Sequence, residues 1–365
     1  MRPFRIFRPV SGDIQSCLLQ LGRFIKCYLF VLTGRDLTIP VQFMGEPFFF
    51  SPEEEKKRRL TFVGIAPDNA AGIEKSIISI DDISDEIGIP REIMVVSHLD
   101  NARTAMELSD LVRKYDDLTV IESSGIYGLD MQRCVAESSG NYIVTFSPYM
   151  SYAPSWADVI DRFIKSREKK VLYSALSIYP RKILEETGGW RGLRVCWDTD
   201  FLARVSRTFG IIFVPVEDGD FPQSFLYSTG NFFKKHRSTN RALRVNSSLL
   251  RYRDSMIACN FSFRDIIERG RLEAFSRRPI VQLRLITAYI LAQWYIRKHH
   301  DTDENRYVRL AEAFLESITF KEYERFTGDS LAIRLKINPG DMNYLRKHSS
   351  TWQKMEERIQ SLITT

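Results

Sequence analysis

Between Leu60 and Phe146 the chain alternates short apolar runs with segments whose apolar residues recur at helical spacing, and this rhythm leaves few ways to fold. Leu60–Pro67 (LTFVGIAP), Glu92–Ser97 (EIMVVS), Leu118–Ile121 and Asn141–Phe146 (NYIVTF) read as strands. Asp68–Ile80 reads as a helix with Ile73, Ile77 and Ile80 in step. Ala102–Tyr115 reads as a second, with Ala105, Leu108, Leu111 and Val112 inward, and Leu129–Ser138 as a third, ended by Gly140. Parallel neighbours need a long crossover, so this alternation predicts βαβ units, an α/β fold and a largely parallel sheet. Right-handed crossovers then put a ligand site at the C-terminal strand edge, in the loops after Ala66, Ser97, Ile121 and Phe146.

A chain of 365 residues exceeds one such core. The charged run SPEEEKKRR (51–59) marks a boundary, so residues 1–57 are expected to form an N-terminal helical or extended segment and 58–232 the α/β domain. Residues 233–365 are expected to be helical, with helices around 243–258, 261–276, 280–299, 303–317 and 341–362. Lys and Arg number 52 against 46 Asp and Glu, a net +6 that is too dispersed for a nucleic-acid footprint. The five cysteines are widely spaced without a CxxC pair, which points to buried thiols of a cytoplasmic protein. Two apolar segments, 17–33 and 280–296, are broken by Arg23 and Lys26 and by Gln282, Arg284 and Gln293. They are too interrupted to span a bilayer and read as amphipathic helices, packed inward or lying on the cytoplasmic membrane face.

The second half of the α/β domain carries a more specific pattern. Ser138-Ser139-Gly140-Asn141-Tyr142-Ile143-Val144 leads into a strand, Gly188-Gly189-Trp190 forms a turn, and Asp198-Thr199-Asp200-Phe201 with Arg204 follows eight residues after the Trp. Phe209-Gly210 and Ile211–Pro215 continue as a helix end and a strand. In this order the chain resembles the GT-A catalytic domain of family-2 glycosyltransferases over about 60–216. The resemblance implies a mostly parallel sheet flanked by helices, a nucleotide-sugar donor, and a glycan or lipid-linked acceptor. It also implies an inverting reaction in which Asp198 is the general base, because a sugar hydroxyl must lose its proton as it attacks. Read without the family, Asp198 is the N-cap of a helix over 199–208. Donor-side positions implied by the resemblance are Pro67, Asp68, Asn69, Ser97, His98, Ser147, Tyr149 and Asp200; Asp200, half a turn beyond Asp198, reads also as a residue that orients a neighbour or caps the helix.

The chain departs from the family where a metal would sit. The family's Asp-x-Asp, which holds Mg²⁺ or Mn²⁺ against the leaving diphosphate, is replaced by Ser147-Pro148-Tyr149. The second strand ends in Ser97-His98 rather than Asp-Asp, and Trp197 replaces the Glu before the base. A hydroxyl and a phenol are poor substitutes for two carboxylates around a hard cation, so the sequence leaves the metal open. Lys234, Lys235, His236 and Arg237 form a cluster that could offset phosphate charge without metal; otherwise they are a solvated linker. A catalytically inactive, scaffold-like relative is the competing reading. The acidic run Asp81-Asp82, Asp85-Glu86 reads as a solvated helix end, and the aromatic stretch 43–50 as packing or an acceptor-lipid groove.

Overall fold

The computed structural model describes residues 58–66, 72–97, 99, 102–148, 150–214, 241–265, 279–299, 301, 303, 306–319, 322–328 and 339–353. The strands are β1 (Leu60–Ala66), β2 (Arg91–Ser97), β3 (Leu118–Glu122), β4 (Tyr142–Phe146), β5 (Val171–Tyr173), β6 (Ser177–Pro180) and β7 (Ile211–Phe213). They form one sheet in the order β3-β2-β1-β4-β6-β5-β7. Every pairing is parallel except those of β6, which runs antiparallel to both β4 and β5. β1 and β2 are buried along most of their length, which is why they read as continuous apolar runs.

The helices between strands are α1 (Ile73–Ile87), α2 (Ala102–Lys114), α3 (Tyr127–Glu137), α4 (Trp156–Ser166), α5 (Arg181–Thr187) and α6 (Trp197–Thr208). Beyond the sheet come α7 (Arg241–Cys259), α8 (Pro279–Lys298), α9 (Arg306–Thr319), α10 (Glu324–Thr327) and α11 (Pro339–His348). The expected α/β sheet with a helical C-terminal region is therefore the observed architecture. The helical region is not a loose appendage. Ser317 Oγ of α9 accepts the Phe213 amide at 2.8 Å, closing the edge strand β7. Phe314 meets Tyr173 and Phe213 edge-on, at 5.6 and 5.2 Å between ring centroids. One hydrophobic core runs through sheet and C-terminal helices.

Several expectations are corrected. α1 runs on to Ile87, where Gly88 caps it, so the acidic run lies inside the helix. There Asp81 and Asp85 pair with Arg91 of β2 at 2.8 and 3.0 Å, and Asp117 joins at 3.1 Å. Val112 is 39 % exposed, because α2 buries only the narrow stripe of Thr104 and Leu108. The helix expected over 199–208 starts at Trp197, with Cys196 as its cap. Cys134, Cys196 and Cys259 are buried thiols, as expected, and burial pushes Cys134 up to about 12; Cys17 and Cys27 lie outside the described residues. Among the described residues, no helix is long and apolar enough to cross a membrane. The segments 17–33 and 43–50 lie outside them.

Candidate active site

The strand order reverses at β1. The chain leaves β1 toward β2 and β3, and β4 returns on its other side, so the crevice at the topological switch lies beyond Ala66 and Phe146. Its floor is tightly packed. A side chain on Gly64 would come within 2.7 Å of the Phe146 ring and 2.8 Å of Pro148, so only glycine lets the two rings cross β1 here. Ser97 is fully buried, and its hydroxyl donates to the Ala66 carbonyl at 2.7 Å, tying the tips of β1 and β2 together. The Ser147 amide donates to the Tyr152 hydroxyl at 2.7 Å. Ser76 Oγ of α1 donates to the Met150 carbonyl at 2.6 Å and more distantly to that of Ser147. The segment after β4 is thus folded back and pinned to α1.

Asp198 lies in the first turn of α6 and is half-buried. Its Oδ1 accepts the Thr199 amide at 2.7 Å, and the Tyr173 hydroxyl stands 3.4 Å from Oδ2. Tyr173 is the last residue of β5, so this carboxylate lies near the C-terminal strand edge. β6 separates β5 from β4, so two strand spacings, about 10 Å, lie between the β5 and β4 tips. A helix N-terminus also favours a negative charge at that place.

Asp200, two residues on, points the other way. At 3.6 residues per turn the two side chains leave opposite sides of the helix, and Asp200 has no solvent exposure. Its Oδ1 accepts from Arg306 at 2.9 Å and Arg191 at 3.3 Å, and its Oδ2 from Arg204 at 3.1 Å. Burial would raise its pKa, but these guanidiniums hold it below the usual carboxylate range. The donor-side role expected of Asp200 is accordingly replaced by a structural one: it bolts α6 to α9.

The rest of the motif has the same character. Gly189 is left-handed at φ 63, and a side chain there would come 2.0 Å from Gln132 Oε1. That oxygen instead accepts the Trp190 amide at 3.1 Å, while the Gly189 carbonyl accepts from Arg204 at 2.6 Å. Trp190 is seated against Tyr179 and Phe201, and Trp197 stacks edge-on upon it at 5.9 Å. Gly-Gly-Trp, Asp200 and Arg204 together build the seat that presents Asp198. Tyr173, Arg191 and Arg306 were not singled out from the sequence; β5 is only three residues long, and Arg306 lies 106 residues from its partner.

Pro67, Asp68, Asn69, His98, Tyr149, Lys234, Lys235, His236 and Arg237 lie outside the described residues. Among the described residues, no group of three or more His, Cys, Asp or Glu could hold a metal ion. The described residues after β4, a serine and a buried proline, do not fit a divalent cation, which requires hard anionic oxygens.

No family model and no curated protein matches this sequence. Solved structures of similar fold include the mannosyltransferase PcManGT from Pyrobaculum calidifontis in complex with GDP-Man and Mn2+, at 15 % identity and TM-score 0.36, covering 72 % of this chain and 87 % of that one. TarS 1-349 from S. aureus is similar at 9 % identity and TM-score 0.38, covering 66 % of this chain and 92 % of that one. A 4-diphosphocytidyl-2C-methyl-D-erythritol synthase from Anaerococcus prevotii follows at 10 % and 0.35, over 53 % of this chain and 96 % of that one. Likeness at this level concerns the fold alone.

Proposed function

We propose that this chain is an inverting glycosyltransferase that moves a sugar from a nucleotide-sugar donor to a glycan or lipid-linked acceptor. The observation that carries the reading is the setting of Asp198: a half-buried carboxylate in the first turn of α6, beside the terminal residue of β5. On this reading Asp198 takes the proton of the acceptor hydroxyl as its oxygen attacks the anomeric carbon. The bond to the diphosphate breaks with its electron pair leaving on the phosphate, the sugar inverts, and the proton stays on Asp198. Lys234, Lys235, His236 and Arg237 would offset the charge of the departing diphosphate. Residues 58–232 would be the transferase part, following the segment 1–57, and 233–365 its helical cover, in a cytoplasmic protein working at the membrane face.

One observation favours a second reading, a non-catalytic scaffold of the same fold: Pro148, in place of a metal-binding carboxylate motif, is buried over Gly64. Turnover separates the two. Nucleotide sugars are screened for binding by thermal shift, and a binding donor is then incubated with candidate acceptors. Transfer that Asp198→Asn removes supports the enzyme; binding without transfer or donor hydrolysis supports the scaffold.

A further inference from the structure

α8 is apolar on two opposite sides. Leu285, Ala288, Ala292 and Ile296 form one stripe and are buried against α7 and the core. Leu283, Ile286, Ile290 and Trp294, at the same helical spacing, form another that faces outward, with exposures of 63, 41, 60 and 47 %. At 1.5 Å per residue this outer ridge is about 16 Å long. A surface helix normally turns polar residues outward; this one presents large apolar side chains between Gln282 and Gln293, and the Thr287 hydroxyl is turned back onto the Leu283 carbonyl at 2.9 Å.

The charges carried by α8 itself are of one sign. Residues 279–298 contain no Asp or Glu. Arg297 and Lys298 close the helix, and Lys298 lies over the Trp294 ring at 5.8 Å. Arg284 on the flank and Arg251 of α7 both act electrostatically on Tyr252, so they stand together beside the helix pair. The nearby carboxylates Asp301 and Asp303 are engaged by Arg191, Arg306 and Arg309 and do not cancel this charge. An apolar ridge ending in Trp and bordered by cations matches an anionic lipid surface: aliphatic side chains enter the acyl boundary, the indole sits at headgroup level, and the cations meet phosphates.

We propose that the outer face of α8 is a docking surface for an anionic membrane, on which the protein lies without spanning it. The proposal is independent of the transfer chemistry, since vesicle binding requires neither donor nor acceptor.

The test is flotation of the full chain with vesicles of phosphatidylcholine alone or mixed with phosphatidylglycerol. Binding should be confined to the phosphatidylglycerol vesicles and weaken as salt is raised. Ile290→Glu and Trp294→Glu each put a charge on the ridge and should reduce binding at least about tenfold, and Arg297→Glu with Lys298→Glu should do likewise. Circular dichroism of these exposed-site variants should remain that of the parent. Absence of binding to phosphatidylglycerol vesicles overturns the proposal, whether or not the enzyme transfers sugar. Binding that Ile290→Glu leaves unchanged overturns it too. So does sedimentation of the parent as a dimer that Ile290→Glu splits, which would make a second copy the occupant.

Discussion

Arg306 Nη1 lies 2.9 Å from Asp200 Oδ1, joining two side chains that are 1 % and 0 % exposed and come from the helical cover and the acidic-motif helix. Both also reach further: Arg306 bonds the Ile257 carbonyl and Asp301, and Asp200 gathers Arg191 and Arg204. Burial lowers the Arg306 guanidinium to about 10, with Asp200 opposing. Arg306→Met takes one of three guanidiniums from the fully buried Asp200 and one of two from Asp301, so it should destabilise the protein by about 1–3 kcal/mol. Urea unfolding measures this; a loss below about 1 kcal/mol would mean that the cluster does not join the helical cover to the sheet.

The same cluster predicts an acid limb. Asp200 titrates below the usual carboxylate range when folded, so its contribution is complete above the unfolded value of about 3.9 and is lost as pH falls through the lower folded value. Unfolding free energy of the native protein should decline on acidification below about pH 4 more steeply than that of Asp200→Asn, which should be less stable at neutral pH. Parallel acid slopes for the two proteins would show that Asp200 is not held ionised by its arginines.

The Gly-Gly turn makes a separable prediction. Gly189→Ala incurs left-handed strain of about 1–2 kcal/mol and adds the approach to Gln132 Oε1. Gln132→Ala in the same chain should recover the steric part and leave the backbone part. A double-mutant cycle by urea unfolding reads the coupling directly, and additive effects would show that Gln132 does not meet the new methyl group.

How far these features could be read beforehand depends on the length scale of each. β1, β2 and β4 were legible because buried strands appear as apolar runs such as the IMVV of β2. β5 and β6 were not: VLY and SIYP are too short for any periodicity, and the second carries a proline. The pair Asp198 and Asp200 was visible as a motif. That Asp200 orients a neighbour was among the readings; which neighbours was not, because one of them, Arg306, lies 106 positions away. The C-terminal helices 243–258 and 280–299 were found to within a few residues. The two sides of α8 could not be told apart: 280–296 reads as an amphipathic helix packed inward or lying on a membrane face, and only the burial of Leu285, Ala288, Ala292 and Ile296 shows which side is turned in.

Asp198→Asn separates chemistry from folding. The amide oxygen can still accept the Thr199 amide, so the turn should survive and thermal unfolding should barely move. The lost base should lower kcat by about 100- to 10,000-fold with donor binding retained. Tyr173→Phe removes only the hydroxyl 3.4 Å from the carboxylate and should reduce kcat far less. An Asp198→Asn protein that transfers sugar at the native rate would remove this carboxylate from the reaction.

Metal dependence gives the last prediction. The segment after β4 is fixed by Tyr152 and Ser76, and Pro148 fills the place over Gly64. If Lys234, Lys235 and Arg237 carry the diphosphate charge, donor binding should withstand chelation. A donor at 100 times its Kd stabilises the folded state by about 2.7 kcal/mol, which a thermal shift resolves easily, and EDTA should leave that shift intact. Lys234→Ala with Lys235→Ala and Arg237→Ala should instead diminish it, since these cations would then carry the diphosphate charge. If EDTA abolishes the shift and Mn²⁺ restores it, the donor requires a metal, and Asp68→Asn then asks whether the loop after β1 supplies a ligand.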